Sequence, residues 1–312
     1  MVISIGEILV DLFIDGENKT AFPGGAPFNL AANIAHFDGD ISFYGAVGND
    51  KYGKFLKDFA LKNVPLSLIE TLNDRHTSEA IVTLENGERS FRFNRDDGAD
   101  YILSTSSLSK LDLTRAAIVH LGSLMLSYKE GVDFFYEAIE YIKKHSKARI
   151  SFDINYRDDI FPSEEVAKDV FLKALGCADI IKFTEEELRL LSGEDDLAKA
   201  IKTLLKPNQI AFVTLGKEGS LFFGNNKCIH ADTEPLVPVD TTGAGDAFYS
   251  FILYSLDRGI DLDNDILIKE TLKKANFVGG FATQKKGAIG VVPSVKEIDG
   301  HFQNKQQNDK TV

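Results

Sequence analysis

The sequence predicts an α/β chain built as a three-layer α/β/α sandwich with a small β-sheet lid. Two observations carry this. Short runs that are apolar on both faces alternate with helical patterns, as expected of a parallel sheet covered by helices. One stretch breaks that alternation with two β-type runs around Asn86-Gly87, a strong hairpin signal.

Taken in order, the first strand is read over Val2–Val10 and a helix over Phe28–Phe37. A strand at Ile41–Val47 and a helix at Tyr52–Leu61 follow. The hairpin joins Ser78–Leu84 to Ser90–Asn94 through Glu85-Asn86-Gly87-Glu88. In SFRFNR, Phe91, Phe93 and Arg95 share one face, and residues around Asp15–Phe22 add a strand to the same lid. Strands are read at Ile118–Leu121, Arg149–Asp153, Ile180–Phe183 and Ile210–Leu215. Helices are read at Val132–Lys144, Glu164–Leu175, Ala247–Leu256 and Ile266–Ala282. In the first of these, Phe135, Ala138, Ile139 and Ile142 recur at spacings of three and four. The polar, aperiodic HFQNKQQNDKTV is expected to fray. The expectation is one domain over residues 1–312, with a lid from approximately 12–24 and 76–100.

Composition narrows the function. A chain of 312 residues buries roughly three quarters of its unfolded surface, enough for a sizeable core. A net charge of -12 argues against a nucleic-acid partner, which needs a basic face. No apolar run reaches the ~18 residues of a membrane helix, and MVISIGEILVDLF has no basic leader region. Cys177 and Cys228 stand alone without a CxxC spacing, so a reducing, cytoplasmic setting is expected. The scattered histidines form no HxxxH or HExxH cluster, and no transition-metal site is expected. There is no GxxxxGK[ST] and no GxGxxG after the first strand, which leaves the P-loop and dinucleotide fingerprints unmatched.

Two glycine-rich turns stand out. In DTTGAGDAF, Asp240 to Phe248, a helix is expected to begin at about Gly245–Asp246. The first amides of a helix have no intrahelical partner and carry partial positive charge. Gly243 and Gly245 let that backbone approach a ligand, forming an anion cradle with Ala244. Asp246 then suits a general base that takes a proton from a hydroxyl during phosphoryl transfer. On local residues alone it suits a helix cap equally well. The second turn is FPGGAPFNLA, where Gly24-Gly25 precedes a helix carrying Asn29, followed by GAVGND at Gly45–Asp50.

Together these motifs resemble the phosphofructokinase-B (ribokinase-like) family of sugar kinases, with a match spread from Gly6 to Pro293. The chain departs from the family pattern at Asp38, where a small residue is usual, and at Phe251, where Gly or Ala usually follows Ser250. The resemblance implies a ribokinase-like fold, with Asp246 as catalytic base and Gly243, Ala244 and Gly245 as anion hole. It implies sugar contacts from Asp11, Gly24, Gly25 and Asn29. SFDINYR resembles the fructokinase-type DxNxR segment, which places Asn155 toward phosphate and Arg157 toward substrate. Lys182 and Glu187 fall on the nucleotide and Mg²⁺ side, with Thr184 standing where many members have Asn. Thr214, Gly216 and Gly219 match the nucleotide loop, and Asn276 and Gly287 the surroundings of the adenine. Asp240 and Thr242 match a monovalent-cation site.

The activity implied is ATP-dependent and Mg²⁺-requiring, with K⁺ as a further candidate ion, and most similar to bacterial fructokinase. GEILVDLF, GERSFRFNRDDGAD and SFDINYR carry that preference. Kinases of 2-keto-3-deoxygluconate and aminoimidazole riboside share the motifs. A sugar- or nucleotide-sensing protein without activity is the alternative of another class, and a hydride-transfer enzyme a further one. Arg95 is expected either to reach sugar hydroxyls or to form a salt bridge to Asp97 or Asp100. Phe91 and Phe93 are expected to cover substrate or to pair with a second lid in a homodimer.

Overall fold

A computed structural model describes residues 1–85, 88–234, 236–284, 287–290 and 292–309. The apolar opening run does not form one strand. Gly6, with φ of 151° and Pro27 and Gly122 against its α-carbon, divides it into β1 (Val2–Ile5) and β2 (Leu9–Asp15). The two strands enter different sheets. Along the chain follow β3 (Asn18–Gly24), α1 (Ala26–His36), β4 (Ile41–Gly48), α2 (Lys51–Asn63) and β5 (Ser67–Leu72). Next come β6 (Glu79–Glu85), β7 (Glu88–Asn94), β8 (Ile118–Leu121), α3 (Lys129–His145), β9 (Arg149–Asp153) and α4 (Glu164–Leu175). Then follow β10 (Ile180–Thr184), α5 (Glu185–Ser192), α6 (Leu197–Leu204), β11 (Ile210–Thr214), β12 (Ser220–Gly224) and β13 (Lys227–Ala231). The chain closes with α7 (Ala244–Asp257), α8 (Asp265–Ala282) and α9 (Val295–Asp309).

The large sheet is nine-stranded, in the order β13-β12-β11-β10-β9-β8-β1-β4-β5. From β11 to β5 every neighbouring pair is parallel. Alternation along each strand feeds two core layers. Val2 packs in a layer with Phe28, Leu56, Tyr249 and Leu272, from α1, α2, α7 and α8. Ile3 and Ile5 face the opposite layer, with Phe135, Phe171, Leu188 and Ala200 from α3 to α6. β12 and β13 form an antiparallel hairpin at one edge, turned by Asn225 and Asn226, both with positive φ.

The small sheet has the order β3-β2-β6-β7. β6 and β7 pair antiparallel from Glu79↔Asn94 to Glu85↔Glu88; the Asn86-Gly87 turn expected between them lies outside the described residues. β2 and β6 pair parallel. Val10, Leu12 and Ile81 anchor this sheet in the core layer that contains α2. Leu9 and Ala80 meet Leu124 and Phe93 in a separate cluster. The expected frayed tail is instead α9 through Asp309, because Ile298 is fully buried and Phe302 and His301 pack on Phe277 of α8. Among the described residues no helix is long and apolar enough to cross a membrane.

From β1 the main sheet continues to β4 on one side and, later in the chain, to β8 on the other. That reversal opens a crevice at the carboxyl ends of the strands, the usual ligand position in open α/β sheets.

Candidate active site

The crevice is a cleft of about 440 Å³. Its walls come from the β1–β2 loop, the lid, the starts of α1 and α7, and the loops after β9 and β10. Asp11, Gly25, Asn29, Asn155, Arg157, Lys182, Glu187, Thr242, Gly243, Gly245 and Asp246 all line it. So do Glu7, Leu9, Leu124 and Thr241, to which the sequence reading gave no role.

α1 and α7 meet the cleft with bare ends. Most of the other helices carry side-chain caps: Asp50 on α2, Ser163 on α4, Thr184 on α5, Asp196 on α6 and Asn264 on α8. The N-caps of α1 and α7 are Gly25 (φ 102°) and Gly243 (φ 75°), with no side-chain hydrogen bond at either. Side chains are disfavoured in both conformations. A Cβ on Gly25 would strike the Glu7 backbone, and one on Gly243 would strike Ala288. The first amides of both helices are thus left to an outside acceptor.

Asp246 stands in the first turn of α7 without serving as its cap. Asn29 Nδ2 donates to Asp246 Oδ2 at 2.8 Å, bridging the two bare helix starts. Asp11 projects from β2, close enough to Gly24 that a side chain there would collide with its carboxylate. Burial, with help from the charges of Asp246 and Asp240, pushes Asp11 up to about 7, and Arg157 opposes the shift.

Beneath the α7 turn, Lys182 Nζ donates to both Asp153 oxygens at 3.0 Å. A Cβ on Gly245 would lie 3.2 Å from that ammonium, so the cation sits directly under the cradle. Burial raises the Asp153 carboxyl and the Lys182 charge opposes it. Glu187 is buried and doubly engaged. Its Oε1 accepts from the Tyr156 amide at 2.8 Å and its Oε2 from the Thr184 amide at 2.7 Å, the latter within a capping box. This ties the loop after β9 to the start of α5, while Asn155 turns that loop with φ of 41°. Deeper still, Ser151 links His120 (3.1 Å) to the Tyr249 hydroxyl (2.7 Å). Burial and the Lys182 charge hold His120 down at about 3, so its imidazole is neutral and structural.

Other expected site residues lie outside the lining. Ala244 belongs to the α7 turn, and Gly24 backs Asp11. Thr214, Gly216 and Gly219 form the β11–β12 turn. Asn276 Nδ2 is spent on the carbonyls of Ala231 (3.0 Å) and Asp232 (3.2 Å), fastening α8 to the end of β13. Asp240 Oδ1 accepts from the Thr242 amide (3.1 Å) and hydroxyl (2.7 Å), and the Gly287 amide approaches its Oδ2 at 3.4 Å.

Arg95 takes the salt-bridge alternative of the two expected for it. Its guanidinium is buried and committed within the chain rather than aimed at the cleft. Nε and Nη2 donate to Asp100 Oδ2 at 3.0 and 2.6 Å, Nη1 to Ser127 Oγ at 2.9 Å, and Nη2 to Leu124 O at 3.0 Å. Tyr101 and Tyr128 rings flank it at 5.7 and 5.4 Å. Asp100, fully buried, also accepts from Ser78 Oγ. The Asp100 salt bridge is the one that forms, whereas Asp97 is exposed and pairs with Arg75.

A second cavity of about 490 Å³ lies between α8 and α9. It is lined by a mixture of lysines and acids without a glycine-rich turn, and it gathers none of the expected site residues. The smaller cleft holds the convergent chemistry.

Residues 1–295 match the model of the pfkB family carbohydrate kinases. A Klebsiella pneumoniae fructokinase is 35% identical over 294 residues, 93% of this chain and 95% of that protein. Two solved structures are similar across almost the full length. One is Vibrio cholerae O395 fructokinase with fructose, ADP and a calcium ion bound (TM-score 0.85, 32% identity, 96% of this chain and 97% of that one). The other is Xylella fastidiosa fructokinase with bound ATP (TM-score 0.88, 26% identity, 98% of each chain).

Proposed function

The chain belongs to the pfkB family of carbohydrate kinases, and we propose that it transfers the γ-phosphoryl group of ATP to D-fructose, giving fructose 6-phosphate and ADP. The observation that carries this reading is the pairing of Asp246 with Asn29 across two uncapped helix starts. An acid at a helix start that does not cap it is available for other work. The fructokinase names of the similar proteins, two of them solved with fructose and ADP or with ATP, support the sugar and the donor.

In this mechanism Asp246 accepts the proton of the sugar hydroxyl as its oxygen attacks the γ-phosphorus, and the bond to the leaving ADP oxygen breaks. The amides of Ala244, Gly245 and Asp246 take the charge on the transferring group, reinforced by Lys182 beneath. Asn29 fixes the rotamer of Asp246. Asp11, Gly25 and Asn29 hold the sugar, with Gly24 leaving room for the Asp11 carboxylate. Arg157 is exposed at the rim, and its charge opposes the upward shift of Asp11. Glu7, Asp11, Asp246 and Glu187 all line the cleft.

Asn155, Lys182 and Glu187 are assigned to the phosphates and Thr214, Gly216, Gly219 and Gly287 to the rest of the nucleotide, with Asn276 placing α8 behind them. Among the described residues no group of three His, Cys, Asp or Glu side chains could hold a metal ion. Mg²⁺, which is bound mainly through substrate phosphates and water in such enzymes, suits that arrangement. It would neutralise charge between the β- and γ-phosphates, with the buried Glu187 carboxylate beside it. Asp240 and Thr242 are assigned to a monovalent cation.

The test is ADP release by the purified protein over D-fructose, ribose, 2-keto-3-deoxygluconate and aminoimidazole riboside. D-fructose is expected to show the highest kcat/KM, with activity dependent on Mg²⁺ and raised by K⁺ over tetramethylammonium. A win for ketodeoxygluconate would leave the chemistry standing and overturn the sugar. No turnover with any sugar, alongside retained ligand binding, would favour a sensor.

A further inference from the structure

Glu7 follows β1 at the junction where the chain leaves the main sheet for the lid. The residue is among those that line the cleft, and its side chain is fully buried behind that wall. Among the described residues neither carboxyl oxygen has a hydrogen-bond partner. Its own backbone amide gives an electrostatic pull on the carboxyl without hydrogen-bond geometry. Arg95, whose charge is felt at Glu7, is committed to Asp100, Ser127 and the Leu124 carbonyl. On the other side, Gly122 presents its bare α-carbon, where any Cβ would strike Glu7 Oε2. Around it the wall is apolar, from Leu9, Ala80, Phe93 and Leu124.

A buried polar group with no partner is destabilising, and native chains satisfy nearly all of them. This one belongs to a residue of the cleft wall.

We propose that Glu7 is a specificity-determining residue, whose carboxyl hydrogen-bonds one hydroxyl of the sugar and discriminates against sugars that lack it or carry it with the opposite configuration. The proposal rests on the kinase reading above. Burial pushes Glu7 up to about 8, with Asp100 and Asp246 adding to the shift and Arg95 opposing it. A carboxyl that is neutral at neutral pH both donates and accepts, which suits a sugar hydroxyl. A site built to hydrogen-bond a hydroxyl rejects the analogue lacking it, because its own polar group is then left unpaired.

The experiment is a cycle between side chain and substrate. The kcat/KM is measured for D-fructose and a set of its single-deoxy and single-epimer analogues, with the wild type, Glu7→Gln and Glu7→Leu. Glu7→Leu is expected to lower D-fructose kcat/KM by about 10–100-fold. For the one analogue altered at the contacted hydroxyl, wild type is already impaired and Glu7→Leu adds little further loss. Glu7→Gln, which keeps shape and hydrogen bonding, is expected to stay within about 10-fold of wild type on D-fructose while changing the ranking of the epimers. If the leucine variant does not fold, the glutamine variant carries the same cycle. Losses that multiply independently for every analogue would show that Glu7 touches no hydroxyl and overturn this role alone. A wild type inactive on every ketohexose would overturn the kinase reading first, before any variant is made.

Discussion

Arg95 and Asp100 at the root of the lid are as deeply buried as Glu7 on the cleft wall, but their surroundings differ. Asp100 holds Arg95 through two nitrogens and accepts from Ser78, while Arg95 has Ser127, the Leu124 carbonyl and two tyrosine faces besides. Glu7 has none of this. The helix starts divide in the same way. α2, α4, α5, α6 and α8 are closed by their own side chains, whereas α1 and α7 open on glycine where they meet the cleft. At the root of the lid the buried ion pair is completed inside the chain, and at the cleft Glu7 and the starts of α1 and α7 are left open; away from the cleft, α3 also starts without a side-chain cap and Asn33, Ser123 and Ser220 are buried without a partner among the described residues.

The satisfied side of that comparison gives the largest expected effect. Removing one partner of a buried ion pair leaves the other uncompensated, at about 3–5 kcal/mol. Arg95→Ala is therefore expected to lower stability by about that amount in denaturant unfolding, while the folded fraction keeps its D-fructose KM within about threefold. An unchanged unfolding midpoint with a sharply raised fructose KM would return Arg95 to the sugar.

Closing an open helix start ranks next. Gly243→Ala forces a side chain into a left-handed conformation, about 1–2 kcal/mol by itself, and drives its Cβ to 2.6 Å from that of Ala288. A fall of about 5–30-fold in kcat/KM is expected from the conformational strain alone carried into the cradle. Wild-type kinetics in this variant would mean that the α7 turn does not face the transferring phosphate.

A third expected effect, on pH dependence, isolates Glu7. Its carboxyl is raised from the ordinary 4.5 to about 8. Between those values the folded chain holds a proton that the unfolded chain has lost, so the Glu7 contribution to stability declines as pH rises across that window. Glutamine does not titrate. The Tm advantage of Glu7→Gln over wild type is expected to grow from about pH 5 to about pH 8 and then level off. Asp11, raised to about 7, and Asp153, also raised by burial, shift stability in the same direction but equally in both proteins. Parallel Tm curves would place Glu7 in an ordinary, hydrated setting.

Much of the scaffold was legible because periodicity reports burial directly. The strands at Ile118–Leu121 and Arg149–Asp153 and the helix over Glu164–Leu175 are found with the expected bounds. Splitting Val2–Val10 was not legible, because β-type apolar residues flank Gly6-Glu7 on both sides and a single glycine decides which sheet each half joins. β5, α5, α6 and the β12–β13 hairpin are short and owe their form to tertiary contacts. α9 reads as polar because it buries little beyond Ile298 and Phe302.

At the cleft, the glycine turns and Asp246 were visible as motifs. Asp100 was legible as one of two candidate partners for Arg95, whereas Asp153 under Lys182 and the choice of Asp100 over Asp97 depend on distances that no spacing encodes. Glu7 left a signal in an acid set within GEILVDLF, an apolar run that had no evident use for it.

The central claim is that an acid left open at a bare helix start performs the chemistry. Asp246→Asn, measured for kcat with D-fructose and ATP beside its thermal midpoint, tests it most directly. The expected result is an unchanged midpoint within a few degrees and a kcat lower by at least ~10²-fold, the scale of a lost general base. Near-wild-type turnover in a well-folded Asn variant would contradict it and reduce Asp246 to a residue that only steadies Asn29.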